Sequence, residues 1–125
     1  MPRKKAKSES LILAETIIDG ILDKKGKEVI SLDLSKVNNS ICNFFIICHG
    51  TSRTQVEAIA DSIEDMVRIK LKEKPWHREG LENAEWVLLD YVDVVAHIFQ
   101  EKTREFYQLE SLWADAEQKK IESEI

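Results

Sequence analysis

Gly50, Thr51 and Ser52 close an apolar run, and two carboxylates, Asp90 and Asp93, lie in a later one. A glycine-bearing turn opening a helix can hold phosphate, and carboxylates that converge on two cations about 4 Å apart can drive phosphoryl transfer. The spacing argues against that chemistry here. Asp90 and Asp93 are three apart, so on a continuous strand they would face opposite ways, and a tight turn is expected between them instead. Gly-Thr-Ser is better explained as a helix cap. Cys48 beside His49 makes no catalytic dyad by adjacency, because strand neighbours point to opposite faces. The chain contains no Walker loop, nucleophile elbow or metal-binding histidine pair. No catalytic residue, metal ligand or cofactor is therefore expected.

Other residues have the chemistry of recognition. In strand alternation Trp86 shares a face with Leu88 and Asp90, which would present an aromatic beside a carboxylate. As a central interface anchor, a Trp loses about 2–4 kcal/mol of binding on truncation; the competing reading packs Trp86 in the core, where Trp is well buried on average. Glu79 and Gly80 lie in an expected loop, where binding residues concentrate, although Gly80 also suits a turn. His97, among branched residues, could contact a partner, titrate near neutrality, or be a satisfied core or edge residue. Trp76 and His77, after Pro75, could extend an interface or clasp the end of the preceding helix.

These residues sit in a chain of 125, which suits one domain. With 43% hydrophobic and 33% charged residues it has side chains for a core and for a hydrated surface, so disorder throughout is not expected. Four of its 18 basic side chains, Arg3, Lys4, Lys5 and Lys7, fall in the first seven residues, leaving 14 basic against 23 acidic, or −9. An acidic body repels phosphate backbones and steers a basic protein inward, so no sequence-specific nucleic-acid binding is expected. Residues 1–7 read as a basic disordered tail, 8–118 as the domain and 119–125 as a frayed end. No apolar run approaches the roughly 20 residues of a membrane span, and the N-terminus lacks a signal core, which points to the cytoplasm. Cys42 and Cys48 would lie about 20 Å apart on a strand, too far for a disulfide, and should be buried thiols.

Periodicity supplies the scaffold. Ser8 or Ser10 can cap a helix carrying Leu11, Ala14, Ile17, Ile18, Ile21 and Leu22 at helical spacing, with Gly26 as its stop. Glu28–Leu34 reads as a strand, Asn38, Asn39 and Ser40 as a turn, and Phe44–Cys48 as a central strand covered on both faces, broken by His49 and Gly50. A second helix, capped by Thr51 or Ser52, buries Val56, Ile59, Ala60, Ile63, Val67 and Leu71. Residues 76–84 read as a connection, Glu85–Tyr91 and Val94–Phe99 as an antiparallel hairpin, and 102–117 as a last helix with Phe106, Leu109, Leu112, Trp113 and Ala116 facing the core. The order predicts an α+β domain with a mixed sheet flanked by helices.

Two segments carry a specific resemblance. Ile46, Ile47, Cys48, His49, Gly50, Thr51 and Ser52, continued by Ala58, Ile59, Ala60 and Asp61, match one motif; Glu79, Gly80, Ala84, Trp86, Asp90, Asp93, Val94, His97, Gln100, Glu101, Tyr107, Leu109, Glu110, Leu112 and Trp113 match a second, in order. The chain thereby resembles the ribosomal silencing factor (RsfS) or Iojap family. The resemblance implies a nucleotidyltransferase-like topology without a catalytic site. It also implies a homodimeric translation repressor that binds ribosomal protein fourteen on the large ribosomal subunit, sterically blocks the joining of the small subunit, and has a further role in large-subunit maturation. Two positions depart from the pattern: Asn43 replaces the usual Asp, and Val92 replaces the usual Gly. A branched residue disfavours positive φ, so another kind of turn is expected at Val92, with Asp93 aimed differently. The alternatives are an active nucleotidyltransferase-like enzyme and a general dimeric adaptor.

Overall fold

The computed structural model describes residues 7–37, 42–113 and 116–121. Its elements are α1 (Lys7–Asp23), β1 (Lys27–Asp33), β2 (Phe44–Gly50), α2 (Arg53–Leu71), β3 (His77–Glu79), β4 (Trp86–Asp90), β5 (Val94–Gln100), α3 (Glu101–Tyr107), α4 (Leu109–Leu112) and β6 (Glu117–Ile121). The strands form one mixed sheet in the order β3-β4-β5-β2-β1-β6. β2 and β5 run parallel at its centre, and the other neighbouring pairs are antiparallel. Their near-continuous apolar sequences follow from that position, because both faces of a central strand are covered.

Helices α1 and α2 cover one face over a core that includes Leu13, Ile17, Ile46, Ile63, Leu89 and Ile98. They approach closely because residue 20 is Gly: a Cβ there would stand 2.9 Å from the Ile63 Cα. Ser62 Oγ donates to the carbonyl of Gly20 at 2.8 Å, tying the two backbones together. Ser52 caps α2 by accepting the Gln55 amide at 3.1 Å, and the expected α2 stripe is buried through Val67, with Leu71 half-buried. The opposite face carries a second core around Leu32, Phe45, Ile47, Val95 and Phe99. Cys42 and Cys48 are both buried thiols not joined in a disulfide, and burial pushes the Cys48 thiol up to about 12.

Several local expectations differ from the structure. Ser10 does not cap α1; it is buried inside the helix and accepts from Asn43 Nδ2 at 2.9 Å. At the other end the left-handed residue is Lys25 (φ 60), and the amide of Gly26 donates to the Ile21 carbonyl. His49 and Gly50 continue β2, and residues 76–84 contain the short edge strand β3. Val92 does adopt a positive φ of 76: the Asp93 amide donates to Tyr91 O at 3.0 Å, closing a three-residue turn that Asp90 Oδ1 braces by accepting the Val92 amide at 2.7 Å.

The largest difference is at the C-terminal end. The expected single helix over 102–117 breaks at Gln108 (φ 45) into α3 and α4. Phe106 and Leu112, expected in the core, are 80% and 74% exposed, whereas Leu109 and Ala116 are buried. Residues 117–121 return as β6 beside β1, so the expected frayed end at 119–121 is sheet. Lys7 already belongs to α1. The expected Asn38, Asn39, Ser40 turn and residues 1–6 of the expected tail lie outside the described residues.

Candidate functional site

Sheet register decides which candidate residues share a surface. His77 pairs with Asp90, Glu79 with Leu88, Leu88 with His97, and Trp86 with Phe99. Directly opposed residues lie on one face, so His77, Glu79, Trp86, Asp90 and His97 all occupy the face away from α1 and α2. Among the described residues, α3, α4 and Trp113 pack over part of that face.

Trp86 is half-buried at the start of β4. Its ring stacks on Phe99 at 4.8 Å and touches Tyr107 of α3 at 4.9 Å, and Tyr107 meets Phe106 at 5.0 Å. Toward the interior, His97 lies 4.7 Å from Phe45, whose other neighbour is Trp113 at 5.5 Å. An aromatic series therefore runs from the core at Phe45 to open solvent at Phe106. Trp86 belongs to both environments, with one side packed and the other accessible.

The other candidates separate by exposure. Glu79, His77 and Trp76 are exposed, Trp76 by 63%, and His77 Nε2 sits 3.5 Å from Glu79 Oε1. Asp90 is half-buried and engaged by the Val92 amide, while its carbonyl accepts from the Trp76 amide at 2.7 Å. Asp93 and His97 are 1% and 4% exposed, so neither offers a direct contact to an incoming molecule. Asp93 serves the scaffold: its carbonyl accepts the amides of Asn43 and Phe44 at 2.7 and 3.1 Å. Burial alone pushes His97 down to about 4, which keeps it neutral at ordinary pH. Gly80 has φ +83, and a Cβ there would come 2.0 Å from the Trp86 carbonyl, so turn geometry and close approach already account for it.

Sequence periodicity missed Phe106, Tyr107 and Leu112 as surface residues; Tyr107 is 49% exposed. Two positions before Phe106, and so on the far side of α3 from it, Arg104 turns inward and is 7% exposed. Its guanidinium pairs with Glu110 Oε2 at 3.0 Å, reaches the Lys27 carbonyl at 3.4 Å, and donates to His49 Nδ1 at 3.0 Å. One buried cation thus clasps α3 and α4 to the ends of β1 and β2. Burial first, and Arg104 second, hold His49 below its usual range. The adjoining cleft, about 300 Å³ and lined in part by Glu28, Glu101 and Glu105, surrounds a charge already paired.

The Gly-Thr-Ser turn is likewise engaged. The Thr51 amide donates to Gln55 Oε1 at 2.7 Å, and Gln55 Nε2 ties the turn to the Lys24 and Lys25 carbonyls. Among the described residues no group of three or more His, Cys, Asp or Glu could hold a metal ion, and no helix is long and apolar enough to cross a membrane. What the site can offer is a protein-docking surface: an apolar aromatic strip of Trp86, Tyr107 and Phe106, with Glu79 and Asp90 on the same face of the sheet.

Comparison with known proteins gives this surface a context. Residues 6–125 match the family model described as ribosomal silencing factor during starvation. The chain is 38% identical over 116 residues to the ribosomal silencing factor RsfS of Halalkalibacterium halodurans, covering 90% of this chain and 95% of that protein. A mouse protein named mitochondrial assembly of ribosomal large subunit protein 1 is 32% identical over 73 residues, 57% of this chain and 32% of its own length. A crystal structure of a Chromobacterium violaceum protein superposes with a TM-score of 0.78 at 35% identity, covering 83% of this chain and 85% of that one.

Proposed function

The chain belongs to the ribosomal silencing factor family, and from that premise we propose that it binds the large ribosomal subunit through ribosomal protein fourteen and sterically blocks the joining of the small subunit. Translation falls because the joining surface is occupied, with no bond made or broken by the protein. A further part in large-subunit maturation is included, in keeping with the name of the mouse relative. The free protein is proposed to be a cytoplasmic homodimer.

The observation that carries this reading is the accessible series Trp86, Tyr107, Phe106, on a scaffold whose same sheet face carries Glu79 and Asp90. Exposed aromatics on a rigid scaffold supply the desolvated centre of an interface, and acidic groups at the rim speed the approach of a basic protein. A non-catalytic role is also supported by the two candidate carboxylates, since Asp90 braces a turn and Asp93 lies in the interior. The test mixes purified small and large subunits with micromolar protein and follows joined particles by light scattering. Joining should fall as the protein titrates the large subunit, and unchanged joining at saturation refutes the proposal. Binding to isolated ribosomal protein fourteen, measured by calorimetry, then tests the contact itself.

A further inference from the structure

We propose that His97 is a positioning residue for Trp86: its Nδ1 holds the indole N–H inward, so that Trp86 meets a partner with apolar ring surface and no free hydrogen-bond donor. The inference rests on the reading that Trp86 belongs to the docking surface.

The register makes the pairing specific. Trp86 lies opposite Phe99 and Leu88 opposite His97, so Trp86 reaches His97 across a diagonal that only a long side chain spans. Trp86 Nε1 donates to His97 Nδ1 at 3.1 Å. An indole nitrogen only donates, so Nδ1 must be bare and the imidazole proton must sit on Nε2. Nε2 is buried and has no hydrogen-bond partner among the described residues. Dry, unpaired donors are destabilising, and a Leu or Phe between Phe45, Phe99 and Leu88 would avoid the penalty. Histidine offers in return one thing those residues lack, an acceptor aimed at the indole.

The consequence is selectivity by contact type. Phe99 on one side, Tyr107 on another and His97 at the nitrogen fix the ring before a partner arrives. The accessible part of Trp86 can stack against an apolar side chain or receive a Lys or Arg over its face. It cannot donate to a partner carbonyl or carboxylate without breaking the internal bond. That preference suits a basic partner and excludes one that would be read through the indole N–H.

The test uses the full chain with 15N-labelled indoles and purified large subunits. His97→Asn keeps an acceptor near the Nδ1 position, His97→Leu removes it, and His97→Phe is a second acceptor-free variant of different shape. In both acceptor-free variants the Trp86 indole N–H should exchange with solvent at least about tenfold faster, and affinity for the subunit should fall about tenfold as the preorganised ring is lost. His97→Asn should restore both. Unchanged exchange in the acceptor-free variants overturns the pairing, and faster exchange with unchanged affinity overturns the positioning role. Failure of the wild type to bind subunits would instead remove the docking reading, while the exchange comparison still decides whether His97 holds the indole.

Discussion

Lowering the pH should destabilise the protein through His97 by an amount the structure sets. The side chain is 4% exposed, and burial pushes its pKa down to about 4 from an ordinary 6.5. Between those values the unfolded chain binds a proton that the folded one refuses. Stability therefore falls as pH falls, by about 1.4 kcal/mol per pH unit, and the full gap is worth about 3 kcal/mol. Above pH 6.5 both states are neutral, and His97 contributes no slope. Other groups titrate in the same window, His49 with the same sign, so the measured quantity is a difference. Urea unfolding of wild type and His97→Asn at pH 7, 6, 5 and 4.5 should give curves that converge on acidification, with the variant losing about 2–3 kcal/mol less than the wild type over that range. Parallel curves would refute the reasoning, because they would mean that His97 takes a proton in the native state at no penalty and is not held dry against Trp86.

Arg104→Ala should cost about 3 kcal/mol by leaving Glu110 without its buried partner and unclasping α3 and α4; a loss below about 1 kcal/mol in urea unfolding would show that water replaces the clasp. Val92→Gly should stabilise by about 1 kcal/mol and raise Tm by about 4 °C, because a branched residue at φ 76 is strained, and an unchanged or lower Tm would deny that strain. Phe106→Glu should leave stability within about 0.5 kcal/mol, since the ring is 80% exposed, yet weaken large-subunit binding at least tenfold by placing a charge in the desolvated centre; unchanged affinity would remove α3 from the docking surface.

The elements legible in the sequence were those whose local pattern and tertiary setting agree. Phe44–Cys48 reads as a central strand because both faces are buried, and α2 reads as a helix because its apolar stripe meets the sheet along nearly its whole length. Glu79, Trp86, Asp90 and His97 reach one face through strand alternation and register. Exposure was not legible in the same way. Composition cannot separate His97, buried, from His77, exposed, because the difference lies in what packs above each strand. Val92 escaped for the opposite reason: tertiary context, with Asp90 bracing the turn, imposes a backbone conformation that intrinsic preference argues against.

The failure over 102–117 says most about function. Phe106, Leu109, Leu112 and Trp113 recur at helical spacing, and a helix that buried all of them would have closed the second face of the sheet. The break at Gln108 prevents this, so Leu109 turns inward while Phe106 and Leu112 remain in water. A buried Arg104 then fixes the resulting arrangement at the ends of β1 and β2, where a hydrophobic side chain would have been the simpler choice. Exposed aromatics and a buried cation on one short helix both run against folding preference, and such local conflicts concentrate where a surface serves binding. The same departures that defeat the periodicity argument therefore support the proposed docking surface beside Trp86, where Tyr107 packs against the indole and His97 accepts its N–H.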